Sequence, residues 1–249
     1  MKAKKFNTIV LHRVVNGQTK SFEDISSEIF FHIIDQADKN IFSIDEVYKL
    51  HDRQQKLPIC LTFDDGFLSD HDIVLPALKD RNAKGTFFIV HDYIGKTGYM
   101  QKEHIVEVSN AGMQIGSHSK THPNFLKIDK KTKEYELSFS KAYLEELTGK
   151  EVTTFSFPYG FEDKESIEAV FAAGYKYCCT SRHGISNHLS NLIPRNSINS
   201  KTKFSQIYRN IRPSVSTRLS WSVEDILKAK IKQHTPNLYP KIRDFVSKF

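Results

Sequence analysis

The chain has 249 residues, of which 39% are apolar and 26% charged, enough for one large α/β domain or two small ones with a full core. No apolar run approaches the length that a helix needs to span a bilayer. The net charge of +7 is unevenly placed: Lys201–Phe249 holds 11 Lys+Arg against 3 Asp+Glu, or +8, leaving 25 against 26, or −1, for residues 1–200.

From the N-terminus, the basic start MKAKKFNTIVLHRVV has an apolar stretch that breaks at His12-Arg13. It is too short for a signal-peptide core and no small-residue cleavage site follows, so a cytoplasmic protein is expected. Short β-rich runs then recur at Thr8–Leu11, Ile59–Phe63, Gly85–Val90, Met113–Gly116, Thr154–Phe157 and Tyr175–Cys179. Between them lie segments of helical spacing at Phe22–Ala37, His71–Lys79, Lys102–Asn110, Lys130–Leu147 and Lys164–Ala172. Such alternation predicts parallel pairing, and Ala111-Gly112 and Ala173-Gly174 read as helix stops. The number of units favours a (β/α) barrel over an open sheet, with chemistry on loops at the C-terminal strand ends. No linker or repeat divides the chain; residues 1–200 are expected to form one domain and residues 201–249 a basic extension packed on or beside it. Cys60, Cys178 and Cys179 lie in apolar runs without metal-ligand spacing and read as buried, reduced thiols.

Three polar clusters end β-rich runs. In PICLTFDDGF, Asp64 and Asp65 are adjacent carboxylates followed by Gly66. The pair is either a tight Asp-Gly turn or a site whose like charges are relieved by a cation or a shared proton. In MQIGSHSKTHPNF, His118 and His122 stand four residues apart; they are two surface histidines or two ligands facing one ion. In TTFSFPYGF, Pro158-Tyr159-Gly160 is a strand-ending turn or a rigid loop presenting a backbone N–H to developing negative charge. Two histidines and a carboxylate with one open position are what a catalytic zinc-type site requires.

Taken in order, TFDDG, HSxxH and a strand ending in PYG, together with LPAL, KGTFFIV and AGMQIGSHSKTHPNF, resemble the motif set of the polysaccharide deacetylases. These share the NodB-homology domain and form carbohydrate esterase family 4; the resemblance covers roughly residues 7–200 and points to the branch acting on exopolysaccharides and surface glycans. It implies a distorted (β/α) barrel of seven strands and an enzyme that removes N-acetyl groups from saccharides. It further implies Asp64 as general base, Asp65, His118 and His122 as ligands of one divalent ion (zinc ahead of cobalt or nickel), and the Tyr159 N–H as oxyanion donor in a loop shaped by Pro158. The expected partner is an N-acetylated saccharide, with a lipid-linked or nucleotide-linked precursor of a surface glycan fitting a cytoplasmic enzyme.

Two features of the family pattern are missing. Ser156-Phe157 occupies the stretch where many members carry an Arg before Pro-Tyr, and no late Leu-x-His motif supplies a proton donor. His12, ending the first run, is the candidate acid; His91, ending GTFFIV, is its fallback and a candidate substrate contact, ahead of His183 and His188. Rival functions are hydrolysis of another C–N bond such as a formamide, saccharide binding without turnover, and nucleic-acid binding by the basic tail. The tail lacks zinc-finger, RRM-like or basic-zipper patterns, so no nucleic-acid partner is expected. Its charge, with Trp221 and Ile226-Leu227, instead suggests peripheral contact with anionic membrane. The competing expectation is that Trp221, Leu227, Tyr239 and Phe245 pack back onto the barrel.

Overall fold

The computed structural model describes residues 4–50 and 56–234, with side chains as far as Ile226. β-Branched and aromatic runs form the central strands: β1 (Lys5–Leu11), β2 (Ile59–Phe63), β3 (Thr86–Ile89), β4 (Gln114–Ser117), β5 (Thr154–Ser156), β6 (Tyr177–Cys179) and β7 (Leu192–Ile193). They pair in parallel and in sequence order. Just beyond β7, β8 (Asn196–Ser197) pairs in parallel with the far side of β1. The segment Leu192–Ser197 therefore ties the last strand to the first and nearly closes the sheet. The expected distorted (β/α) barrel of seven parallel strands is the fold, with Ser186–Asn187 lying antiparallel against the start of β1 as an eighth strand on the path.

Helices α1 (Ser27–Ala37), α2 (Ile44–Lys49), α3 (Leu75–Asp80), α4 (Lys102–Asn110), α5 (Lys130–Thr148) and α6 (Lys164–Ala172) alternate with the strands. Local capping chemistry starts several of them. Ser26 accepts from Ile29 N, Asp129 from Thr132 N and Asp163 from Ser166 N, each satisfying an orphan donor of the first turn. The first helix begins later than the spacing of Phe22–Ala37 predicts, because Asp24 is held elsewhere. Its carboxylate accepts from Arg13 and from the N–H groups of Lys20 and Ser21, and Ile25–Ser26 pairs with Val14–Val15 as a short strand.

The two faces of the strands can be told apart by what they bury. Phe6, Cys60, Phe88, Cys179 and Ile193, from five strands, form one buried cluster inside the barrel. The alternate residues Ile9, Leu61, Phe63, Phe87, Phe155 and Cys178 belong to a larger cluster shared with the helices, as a period of two requires. Cys178 and Cys179 thus face opposite sides, and burial pushes the Cys179 thiol up to about 12. Gly116 faces inward, where a side chain would press on Phe88 and Thr154.

One core group stands apart. Asp70, just ahead of α3, is fully buried, and neither carboxyl oxygen meets a hydrogen-bond partner of good geometry. Burial, then the nearby charges of Asp65 and Asp64, push its carboxyl well above the ordinary 3.8. A folded pKa above the unfolded one means that the acid's stabilisation is complete below about pH 4 and is lost as pH rises toward the folded value. Asp70→Asn is therefore expected to match the wild type near pH 4 and to exceed its stability by roughly 1–3 kcal/mol at pH 8. Denaturant titrations of metal-free protein across that range check this; a gap independent of pH would show that Asp70 does not titrate there.

After the barrel, α7 (Phe204–Ile211) buries Ile207 and Ile211 in the larger core. Asn7 Nδ2 donates to the carbonyls of Asn210 and Ile211 at 2.8 Å. The last helix, α8 (Val215–His234), follows. Trp221 packs inward on the barrel; the side chain of Leu227 and all of Tyr239 and Phe245 lie outside the described residues.

Candidate active site

The inward positions of the strands, carried one step past their ends, give Asp64 after Cys60 and Thr62, His118 after Gly116, and Arg195 after Ile193. These residues meet at the C-terminal mouth of the barrel. There they line one cavity with His12, Glu23, Asp65, His122, Tyr159 and His183. The backbone is strained around it: Asp65, Ser119, His122 and Tyr159 all have left-handed φ, between 58° and 76°. Non-glycine residues adopt this conformation at a cost, and such strain clusters where geometry serves a site.

Asp65, His118 and His122 converge. Asp65 Oδ1 lies 3.3 Å from His122 Nε2 and 3.6 Å from His118 Nε2, and the two Nε2 atoms are 3.3 Å apart. His118 Nδ1 donates to the Ser156 carbonyl at 2.7 Å, which leaves its Nε2 lone pair facing the other two groups. Burial pushes the His118 imidazole down to about 4, so it is neutral and ready to ligate. Asp65 Oδ1 is buried without a hydrogen-bond partner of good geometry. Burial alone would raise the Asp65 carboxyl, but the His122, His118 and His12 imidazoles pull it below the ordinary range. A carboxylate oxygen and an imidazole lone pair facing one point repel each other unless a cation lies between them. The donor set fits a divalent ion of the zinc type.

The histidine loop is fixed from behind. Glu136, buried on α5, accepts from Lys120 N, Thr121 N and Thr121 Oγ1 at 2.7–2.8 Å, and Ser119 Oγ accepts from His122 N at 3.0 Å.

Asp64 is held by a residue that the motif order did not suggest. Arg195 donates through Nη1 to Asp64 Oδ1 at 2.7 Å and through Nη2 to Asp64 Oδ2 at 2.8 Å. The same Nη2 donates to Ser156 Oγ at 2.7 Å, and Nη1 reaches Thr62 Oγ1 at 3.2 Å. Both charges are buried. Burial by itself would raise the Asp64 carboxyl; the Arg195 guanidinium outweighs it and holds Asp64 well below the usual carboxylate range. The Arg missing before Pro-Tyr is thus replaced in space by one from the barrel-closing segment, and Ser156, standing in the stretch where that Arg is expected, accepts its hydrogen bond.

Pro158 is buried at the start of the turn that carries Tyr159, and the Tyr159 ring lies edge-on to His122, 4.5 Å between centroids. Gly160 is required there, because a Cβ would collide with the Ser181 side chain.

The remaining histidines divide. His12 lies on the cavity wall, where one of its nitrogens and oxygens of Glu23 and Asp65 are within 4.8 Å of one another. His183 lies on the same cavity; its Nδ1 is 2.8 Å from Asp225 Oδ1, its backbone N–H donates to Asp225 Oδ2 at 2.7 Å, and its ring stacks on Trp221. His91 does not line the cavity. It is one residue out of phase with the inward Thr86 and Phe88, and it packs edge-on against Phe139 and Tyr143 with Nδ1 2.7 Å from Asp92. His188 accepts from Lys4 N at the opposite end of β1.

Residues 51–178, just over half of the chain, match the sequence model of the polysaccharide deacetylase family. The peptidoglycan-N-acetylglucosamine deacetylase of Bacillus cereus is 31% identical over 106 residues, 42% of this chain and 37% of that protein. Peptidoglycan-N-acetylglucosamine deacetylase PgdA of Listeria monocytogenes is 33% identical over 113 residues, 45% of this chain and 23% of that protein. The chain thus spans less than half the length of the curated relatives it matches. In fold, it is similar to the Streptococcus pyogenes deacetylase PplD, solved in complex with acetate, at a TM-score of 0.74 and 18% identity over 85% of this chain and 100% of that one.

Proposed function

The chain belongs to the polysaccharide deacetylase family, and on that premise we propose that it removes the acetyl group from an N-acetylated saccharide with the help of one divalent cation, zinc ahead of cobalt or nickel. The observation that carries the proposal is the convergence of Asp65, His118 and His122 beside an Asp64 clamped by Arg195. When bound by the first three residues, the cation supplies Lewis acidity for an acyl oxygen and acidifies water. Asp64, kept ionised and oriented by Arg195, takes a proton from the attacking water. Oxygen adds to the acetyl carbon, and the Tyr159 N–H faces the charge that develops on the acyl oxygen. The C–N bond then breaks, the nitrogen takes a proton, and acetate leaves the free amine.

For the proton donor the arrangement favours His183 over His12. Asp225 holds its Nδ1, which fixes the ring and leaves Nε2 as the nitrogen available to a leaving amine. His12 shares its ground with Glu23 and Asp65, on the cation's side. His183→Ala is expected to cut kcat by about 10²–10⁴ with the metal content unchanged. His12→Ala is expected to lower kcat far less than His183→Ala; the reverse pattern would return the role to His12.

The substrate we propose is a lipid-linked precursor of a surface glycan, handled on the cytoplasmic side, consistent with the basic C-terminal region. Acetate release from a panel of N-acetylated saccharides, with formate measured alongside, tests the reaction. Formate in place of acetate would make the protein a deformylase, and binding without turnover a saccharide-binding protein.

A further inference from the structure

Helix α8 has two faces of opposite use. The inner face carries Trp221 and Asp225, which hold His183 on the cavity. On the outer face, Val215, Leu219, Val223 and Ile226 form a stripe at helical spacing, exposed by 64%, 65%, 59% and 58% with nothing among the described residues packed over it. An unpartnered apolar stripe of this length on a surface helix marks an interaction face.

Charge identifies the occupant. Residues 201–234, which contain α7 and α8, hold 8 Lys+Arg against 2 Asp+Glu, or +6, and α8 itself carries Arg218, Lys228, Lys230 and Lys232 against Glu224 and Asp225. Apolar residues on one side of a helix amid an excess of Lys and Arg suit an anionic lipid surface, where the apolar side enters the head-group boundary and the cations meet lipid phosphates. We infer that the outer face of α8 docks on an anionic bilayer. Trp221 is then no membrane anchor, since it points the other way. The same helix contacts bilayer on one side and His183 on the other, so the cavity lies within about one helix diameter, 10–12 Å, of the lipid head groups. That distance suits a saccharide still attached to its lipid. This last step rests on the proposed deacetylation; the docking itself does not.

The test uses the full chain and vesicles of phosphatidylglycerol or phosphatidylcholine. Binding to phosphatidylglycerol vesicles is expected, weakening as salt is raised, with little binding to phosphatidylcholine. The exposed pair Leu219→Glu/Val223→Glu is expected to reduce it about tenfold or more with unchanged circular dichroism. Orientation is read independently of these variants. Trp221, the only tryptophan, should escape quenching by brominated lipid, whereas Leu219→Trp in a Trp221→Phe background should be quenched. Absent vesicle binding, equal binding to both lipids, or quenching of Trp221 in place of the outer tryptophan would overturn the inference. So would a dimer that the double glutamate variant dissociates without any vesicle binding, because a second copy would then own the stripe. A protein that binds vesicles but releases no acetate would refute the reaction and leave the docking standing.

Discussion

Replacing Arg195 with alanine is expected to destabilise the protein by about 3–5 kcal/mol, the usual cost of removing one partner of a buried ion pair. The reason is the charge left behind. Asp64 is enclosed, both of its oxygens accept from the Arg195 fork, and Oδ2 also accepts from Ser156 Oγ at 3.2 Å. For a chain of this size the loss corresponds to a fall in Tm of roughly 6–20 °C. Arg195→Lys is expected to recover only part, since a single ammonium cannot reproduce the bidentate contact. In the double variant Arg195→Ala/Asp64→Asn the penalty should shrink, because no uncompensated charge remains and the two sites are in contact. Thermal unfolding of the four proteins measures this; a Tm for Arg195→Ala within about 2 °C of wild type would mean the clamp contributes little.

Asp64→Asn is expected to lower kcat by about 10²–10⁴, the range for removal of a general base, while the protein still binds its cation. The amide keeps the shape of the carboxylate but cannot accept the water's proton. Asp65 next to it sits on the other side of the division of labour: its Oδ1 faces both imidazoles, whereas Asp64 faces the guanidinium. Single-turnover acetate release at saturating substrate isolates the chemical step. A near-wild-type rate for Asp64→Asn would remove Asp64 from the reaction.

The barrel was legible because six apolar runs alternate with segments of helical spacing and three of those runs end in polar clusters. The histidine pair was legible for a local reason: four residues and one tight loop bring both rings to the same point. Arg195 was not, since its partner is 131 residues away and the contact exists only once Leu192–Ser197 has closed the barrel. Its trace in the sequence is slight, a single Arg after Pro in the run LIPRNSI. The same holds for Asp225, which meets His183 across 42 residues from a helix that the alternation of strands and helices does not contain. His91 is a different lesson. Counting the strand period forward from Phe88 puts it on the outer face, so placement at a strand end alone was too coarse a rule. The start of α1 was obscured because Asp24, a residue type that often begins helices, is taken up by Arg13.

In the proposed reaction Asp65, His118 and His122 hold one divalent cation, and Asp64 is not among its ligands. Metal content after chelator treatment, reloading with zinc and extensive dialysis checks this division without any need for the substrate. The wild type and Asp64→Asn are expected to retain about one ion per chain, and Asp65→Asn, His118→Ala and His122→Ala to lose most of it, since a three-ligand site tolerates the loss of one ligand poorly. Full occupancy in both histidine variants would rule out the three-residue site, and loss of the ion from Asp64→Asn but not from Asp65→Asn would reverse the two carboxylates' roles.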